Sequence, residues 1–181
     1  LSEMADLNIA SVAVSITTLD AELARTLEPR TSPPASRLET ISRLTSAGVP
    51  ALAMVAPIIP GLNDSEIPQI LSAVQAAGAQ SASSILLRLP LSVRPVFLEW
   101  LRRTQPTKAE RIEGLIRSTR AGELNDAQFG SRMRGSGELA EQIQRTFRVF
   151  ARKHGLDRRL APLDTTQFRP PRPSSGQLSL F

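Results

Sequence analysis

Short apolar runs alternate with longer stretches of helical periodicity along the first hundred or so residues. Ala10 to Ile16 is apolar and β-branched and reads as a buried strand. Thr17 to Pro34 is polar and holds three prolines, although Asp20 to Thr26 suits one or two helical turns with Asp20 as the cap. Ser36 then caps a predicted helix whose Leu38, Ile41 and Leu44 share a face, and Gly48 ends it. Ala51 to Ala56 is a second strand, continuously hydrophobic and so expected to be covered on both sides. Asp64 or Ser65 caps the next helix, which buries Ile67, Ile70, Leu71 and Val74 and stops at Gly78. Ser84 to Leu89 is the third strand, closed by Pro90. Val93, Val96, Phe97, Trp100 and Leu101 follow at the i, i+3, i+4, i+7, i+8 spacing of an amphipathic helix. Three strand–helix units in succession predict an α/β fold with a parallel sheet, or part of a barrel.

The pattern changes after Thr104. Pro106 opens a helix with Ile112, Leu115 and Ile116 on one side, interrupted near Gly122, and residues 122–137 are polar and punctuated by glycine. Leu139, Ile143, Phe147 and Phe150 mark a last helix that Gly155 ends. From Leu156 onward Arg158, Arg159, Arg169, Arg172 and four prolines dominate, as expected of a flexible basic arm. Three regions result: 1–104 with the strand–helix units, 105–155 as a helical extension, and 156–181 as a Pro/Arg-rich tail.

Composition narrows the chemistry. The 181 residues include no cysteine, which excludes disulfides, thiolate metal sites and thiol nucleophiles within them. No apolar run approaches the roughly 20 residues of a membrane span, and the opening LSEMADLN lacks the basic start and apolar core of a secretory signal. A cytoplasmic protein without a membrane partner is expected. The net charge of +5 comes almost wholly from arginine, Lys108 and Lys153 being the two lysines. Arginine forks suit phosphate and carboxylate, so an anionic partner such as nucleic acid is a candidate; arginine in place of lysine as a reflection of genome composition is the alternative.

In a parallel strand–helix–strand unit, ligands bind at loops following the C-terminal strand ends. Two such loops stand out, Glu28-Pro29-Arg30 and Pro60-Gly61-Leu62-Asn63-Asp64. The first reads either as a turn with a local ion pair, or as a site where Arg30 holds a carboxylate or phosphate and Glu28 orients it. Ser15 at its strand end is by itself an ordinary small residue, and Asn63 and Asp64 are helix caps before they are ligand contacts. Arg37 reads as a solvated residue. Arg88 lies inside the apolar run ILLRLP, where a charge must be paired or face a polar cavity. His154, the only histidine, suits a helix C-terminal cap better than a metal site. Arg132 and Arg134 flank Met133 in a Gly/Ser-rich loop and read as phosphate contacts or as solvated loop residues.

Together SITTLDAELARTLEPR, RLETISRLTSAG, APIIPGLND and LLRLP resemble the radical S-adenosylmethionine superfamily, and within it the bacterial proteins related to spore photoproduct lyase. The resemblance covers about the first hundred residues and returns in RMRGSGELAEQIQRTF and FRPP. It implies a partial (β/α) TIM-like barrel, S-adenosylmethionine as cofactor, and a 4Fe-4S cluster on a CxxxCxxC motif that is missing from this chain. The cofactor is reductively cleaved to a radical that abstracts hydrogen from substrate. With a first residue other than Met, the expectation is the C-terminal part of such an enzyme, inactive by itself. By the resemblance Ser15 contacts S-adenosylmethionine and the Ala56 backbone approaches its adenine. Glu28 and Arg30 reach it from their loop, and Asn63 and Arg88 lie at the barrel mouth by strand position.

The chain ends in Gln177-Leu178-Ser179-Leu180-Phe181, apolar residues after a Pro/Ser-rich linker. Such an ending reads as a linear anchor or as a terminus that packs back on its own domain. It is similar to the pentapeptide by which bacterial replication and repair proteins dock on the sliding clamp, with Leu180 and Phe181 filling a pocket and Gln177 bonding at its edge. Two functions are therefore expected as alternatives: the cofactor- and substrate-binding part of a radical enzyme, with a link to DNA repair, or a non-catalytic basic module that binds DNA and the clamp on a degenerate barrel.

Overall fold

A computed structural model describes residues 1–169. Three strands, β1 (Val12–Ser15), β2 (Ala51–Ile58) and β3 (Ser81–Leu86), form one open parallel sheet in the order β1-β2-β3. Val12 lies opposite Ala51 and Ser15 opposite Met54; Leu52 lies opposite Ser81 and Val55 opposite Ser84. Seven α-helices accompany the strands among the described residues: α1 (Ser2–Asp6), α2 (Ala21–Leu27), α3 (Pro34–Ser46), α4 (Ile67–Ala76), α5 (Val93–Thr104), α6 (Ala109–Ser118) and α7 (Glu138–Lys153). The fold is α/β, as the alternation of strand and helix patterns predicts.

Helices α3, α4 and α7 build one layer with the sheet. Its core holds Ile16, Ala53 and Val55 from the strand segments, Ile41 from α3, Ile70 and Val74 from α4, and Ile143 and Phe147 from α7. Full burial of a side chain of Val, Ile or Phe type contributes about 1.5–3 kcal/mol, so the stripes that face this core drive the layer together. A second core lies beyond the strand ends, where Leu23 of α2, Ile59, Leu89, Trp100 and Leu101 of α5, and Ile112 and Ile116 of α6 meet. α7 thus closes the same layer as α3 and α4, and no break in packing accompanies the composition change at Thr104.

Several expectations require correction. β2 is covered on one face only: Ala51, Ala53 and Val55 are buried, whereas Leu52, Met54 and Ala56 on the other face are partly exposed. The apolar residues on that second face hid the alternation. β3 runs from Ser81 to Leu86 rather than from Ser84 to Leu89, and its early serines find partners: Ser81 Oγ donates to the Arg158 carbonyl at 2.5 Å, and Ser83 Oγ lies 3.1 Å from the Met54 sulfur. α3 starts at Pro34 with Pro33 before it and has no side-chain cap, so Ser36 lies inside the first turn. Proline suits this position, where its missing N–H is not needed. Asp20 does cap α2, its carboxylate accepting from the Glu22 and Leu23 amides. On α5, Phe97, Trp100 and Leu101 are buried, but Val93 and Val96 are exposed, Val96 to 67%.

The segment after α7 is anchored as far as it is described. Leu156 is 1% exposed and its carbonyl accepts from Ala82 N at 2.9 Å on the outer edge of β3. Farther on, Asp164 N donates to the Asn8 carbonyl at 2.8 Å, and Asn8 Nδ2 to the Pro162 carbonyl at 3.0 Å. The expected flexible arm is therefore a strap over this stretch, which backbone hydrogen bonds hold where the sequence shows only prolines and arginines. The pentapeptide at 177–181 lies outside the described residues.

Gly135 secures the loop before α7. Its φ is +74°, and a Cβ there would lie 2.8 Å from the Thr119 carbonyl oxygen, so only glycine lets the loop pass this close. The loop consequently lies against the end of β3, where Leu86 N donates to the Met133 carbonyl at 2.9 Å.

Candidate functional site

The C-terminal strand ends open onto the segments Ile16 to Asp20 and Ile59 to Asp64. Thr17 and Thr18 are buried directly after β1. The Thr17 hydroxyl lies 3.1 Å from both Glu28 Oε1 and the Ala56 carbonyl, so its single proton serves one or the other. Thr18 donates to Glu66 Oε1 at 2.6 Å, while Glu66 Oε2 accepts from Leu19 N at 2.8 Å. This cross-bracing fixes the chain as it leaves β1.

Glu28 follows α2 and pairs with Arg37, not with Arg30. Arg37 Nη2 lies 2.7 Å from Glu28 Oε2, and the same guanidinium donates to Ser15 O at 3.0 Å, Ser32 O at 2.8 Å and Thr31 Oγ1 at 2.6 Å. The Arg37 side chain is 13% exposed, so this is a fork of charge-assisted bonds sheltered from water. The expectation of a solvated Arg37 is corrected. A residue at the start of α3 reaches back nine positions because the Pro29–Pro34 loop folds over the strand end. Arg30 itself is exposed and forms no ion pair among the described residues.

The remaining candidates divide into free and committed groups. Ser15 is exposed on the uncovered face of the sheet, in the same row as Met54 and Ser83. Ala56 is partly exposed beside it, and its carbonyl is shared with Thr17. Asn63 is 2% exposed and wholly committed to backbone: Oδ1 accepts from Ile59 N at 2.7 Å, and Nδ2 donates to Thr17 O at 2.7 Å and Pro57 O at 3.0 Å. It ties the end of β2 to the segment after β1. Asp64 Oδ1 accepts from Gly61 N at 2.9 Å and closes the turn; the expected cap from Asp64 or Ser65 is corrected, since α4 begins at Ile67 with no side-chain cap and Asp64 to Glu66 form a separate short turn.

Arg88 is partly buried past β3 and forms no ion pair among the described residues. Its neighbour Arg120, 3% exposed, was invisible in the sequence pattern. The Arg120 guanidinium donates to the carbonyls of Leu86 and Leu87 at 2.8 Å and of Arg132 at 2.8 Å. Burial lowers its pKa, Asp126 opposes that effect and the Arg88 charge adds to it. A guanidinium satisfied by carbonyls leaves no acidic partner in the sequence to signal it.

His154 occupies the C-cap of α7. Among the described residues no group of three or more His, Cys, Asp or Glu side chains is placed to hold a metal ion. Likewise, no helix there is long and apolar enough to cross a membrane.

No family model and no solved structure matches the chain. It is 38% identical over 119 residues to uncharacterized proteins of Mycobacterium bovis and Mycobacterium tuberculosis. The shared stretch is 65% of this chain and 35% of each relative, so the chain spans about a third of their length.

Proposed function

We propose that this chain forms the cofactor- and substrate-facing part of a radical S-adenosylmethionine enzyme built on a partial (β/α) barrel. The observation that carries the reading is the sequential parallel order β1-β2-β3, with one face left uncovered and Ser15, Ala56 and Glu28 linked at the same end through Thr17 and Arg37, in the loop next to Arg30. An iron–sulfur cluster does not fit these residues, since no cysteine is among them. In the proposed enzyme its ligands would come from outside these 181 residues. The groups available to S-adenosylmethionine are the exposed Ser15 hydroxyl and the exposed Arg30 guanidinium, which has no ion pair among the described residues and suits a carboxylate. The Ala56 backbone borders them, while Glu28 with Arg37, and Asn63, hold the loops in place. Arg88 lies farther along the mouth.

The test uses the protein that contains both this chain and the cluster-binding cysteines. Ser15→Ala and Arg30→Ala should each weaken S-adenosylmethionine binding about tenfold in equilibrium dialysis, the loss of one good hydrogen bond to a polar or charged group. Unchanged affinity in both variants would sink the assignment, as would a cluster absorbance band in the isolated chain after anaerobic reconstitution.

A second reading rests on the ending QLSLF and the net charge of +5: a basic DNA-binding module that docks on the bacterial sliding clamp. Removal of Gln177 to Phe181 should abolish retention on immobilised clamp, and retention by the shortened chain would exclude this role. Both readings place the protein in the cytoplasm.

A further inference from the structure

The outer edge of β3 contains a gap. Ala82 N is satisfied by Leu156 O at one end and Leu86 N by Met133 O at the other, both at 2.9 Å. Ser84 lies between them. Alternation along the strand turns its N–H to the same outer side, and among the described residues that N–H has no partner. Ser84 lines a partly open pocket of about 270 Å³ between β3, α7 and the 131–135 loop. Ile58, Leu86, Ile143 and Phe147 supply apolar walls, and Arg134 and Arg148 line the same space. Neither arginine forms an ion pair among the described residues.

The walls are held apart before anything binds. Gln144 Nε2 on α7 donates to Arg134 O at 2.7 Å, Arg120 grips the Arg132 carbonyl, and Gly135 lets the loop pass close to Thr119. A backbone donor at the strand edge, two cations and apolar walls suit one ligand class: a small carboxylate with an apolar body. The carboxylate takes the Ser84 N–H and an arginine fork, and the apolar body takes the walls. We infer that the pocket at the β3 edge is a binding site for such an organic acid, separate from the mouth at the strand ends and independent of the function proposed there.

The probe is 3-phenylpropionate, titrated into the isotopically labelled 181-residue chain and followed by amide NMR. The Ser84 amide should move downfield and saturably, with smaller shifts along Ile143 to Phe147. Arg148→Gln and Arg134→Gln should each weaken binding about tenfold; as both residues are exposed, these variants should fold normally, which the unperturbed amides of α3 check. The neutral 3-phenylpropanol should bind at least tenfold more weakly. A stationary Ser84 amide, equal binding of the alcohol, or insensitivity to both arginine substitutions would overturn the inference. Equal affinity for inorganic phosphate would overturn the assigned ligand class, because the walls would then contribute nothing.

Discussion

Asn63→Leu should cost roughly 3–5 kcal/mol of folding stability, since it strips partners from three backbone groups at one buried point. Ile59 N, Thr17 O and Pro57 O each rely on the Asn63 amide, and leucine replaces none of those bonds while keeping the same branched side-chain skeleton, its bulkier methyl groups adding to the cost. The side chain is 2% exposed, so water has little access to repair the loss. Chemical denaturation at neutral pH measures the effect. Asn63→Asp separates hydrogen bonding from packing. Its carboxylate still accepts from Ile59 N, but it sets a second oxygen against two carbonyls. That raises the folded-state carboxyl pKa above its unfolded value. By linkage the penalty is small below the unfolded pKa, grows as pH rises toward the folded pKa, and is then constant. A loss below about 1 kcal/mol for leucine, or a pH-independent aspartate variant, would show that these backbone groups are served by water and that the loop is not clamped by Asn63.

The same clamp shows why the site was only half legible in the sequence. Period and punctuation expose elements, so the four buried positions of α4, Ile67, Ile70, Leu71 and Val74, were all anticipated, as was the Asp20 cap. Both signals are local and repeat every two or 3.6 residues. Long-range polar partnerships carry no such period. Glu28 was paired by proximity with Arg30, two positions away, whereas the loop geometry gives it Arg37. Asn63 was placed at the mouth, yet nothing in PGLND tells that its amide turns inward to Thr17, 46 positions earlier. Strand ends failed for a related reason. Serine in β3 disfavours a strand by composition, but an uncovered sheet face and a neighbouring strap tolerate it.

Arg120→Met is expected to cost about as much as the Asn63 substitution, on the order of 3–5 kcal/mol, and to loosen a different region. Replacing a buried ion pair by apolar residues is often harmless, because two desolvation costs vanish together. Here the partners are main-chain carbonyls of Leu86, Leu87 and Arg132, which remain buried and lose their donor when the guanidinium goes. Arg120→Lys should recover less than half of the loss, since one ammonium does not span the distance from the end of β3 to the 131–135 loop as the planar fork does. The loop is then held by the Leu86 N to Met133 O bond and by Gln144. Hydrogen exchange at Leu86 should accelerate in Arg120→Met well beyond exchange at Ile70 in the main core, which reports local opening rather than global unfolding. Equal acceleration at both positions would mean that Arg120 supports the whole fold, and no acceleration at either would mean that burial of its charge costs as much as its four hydrogen bonds return. Because Arg120 holds the loop that carries Arg134 to the β3-edge pocket, one buried cation helps to set the geometry of that pocket.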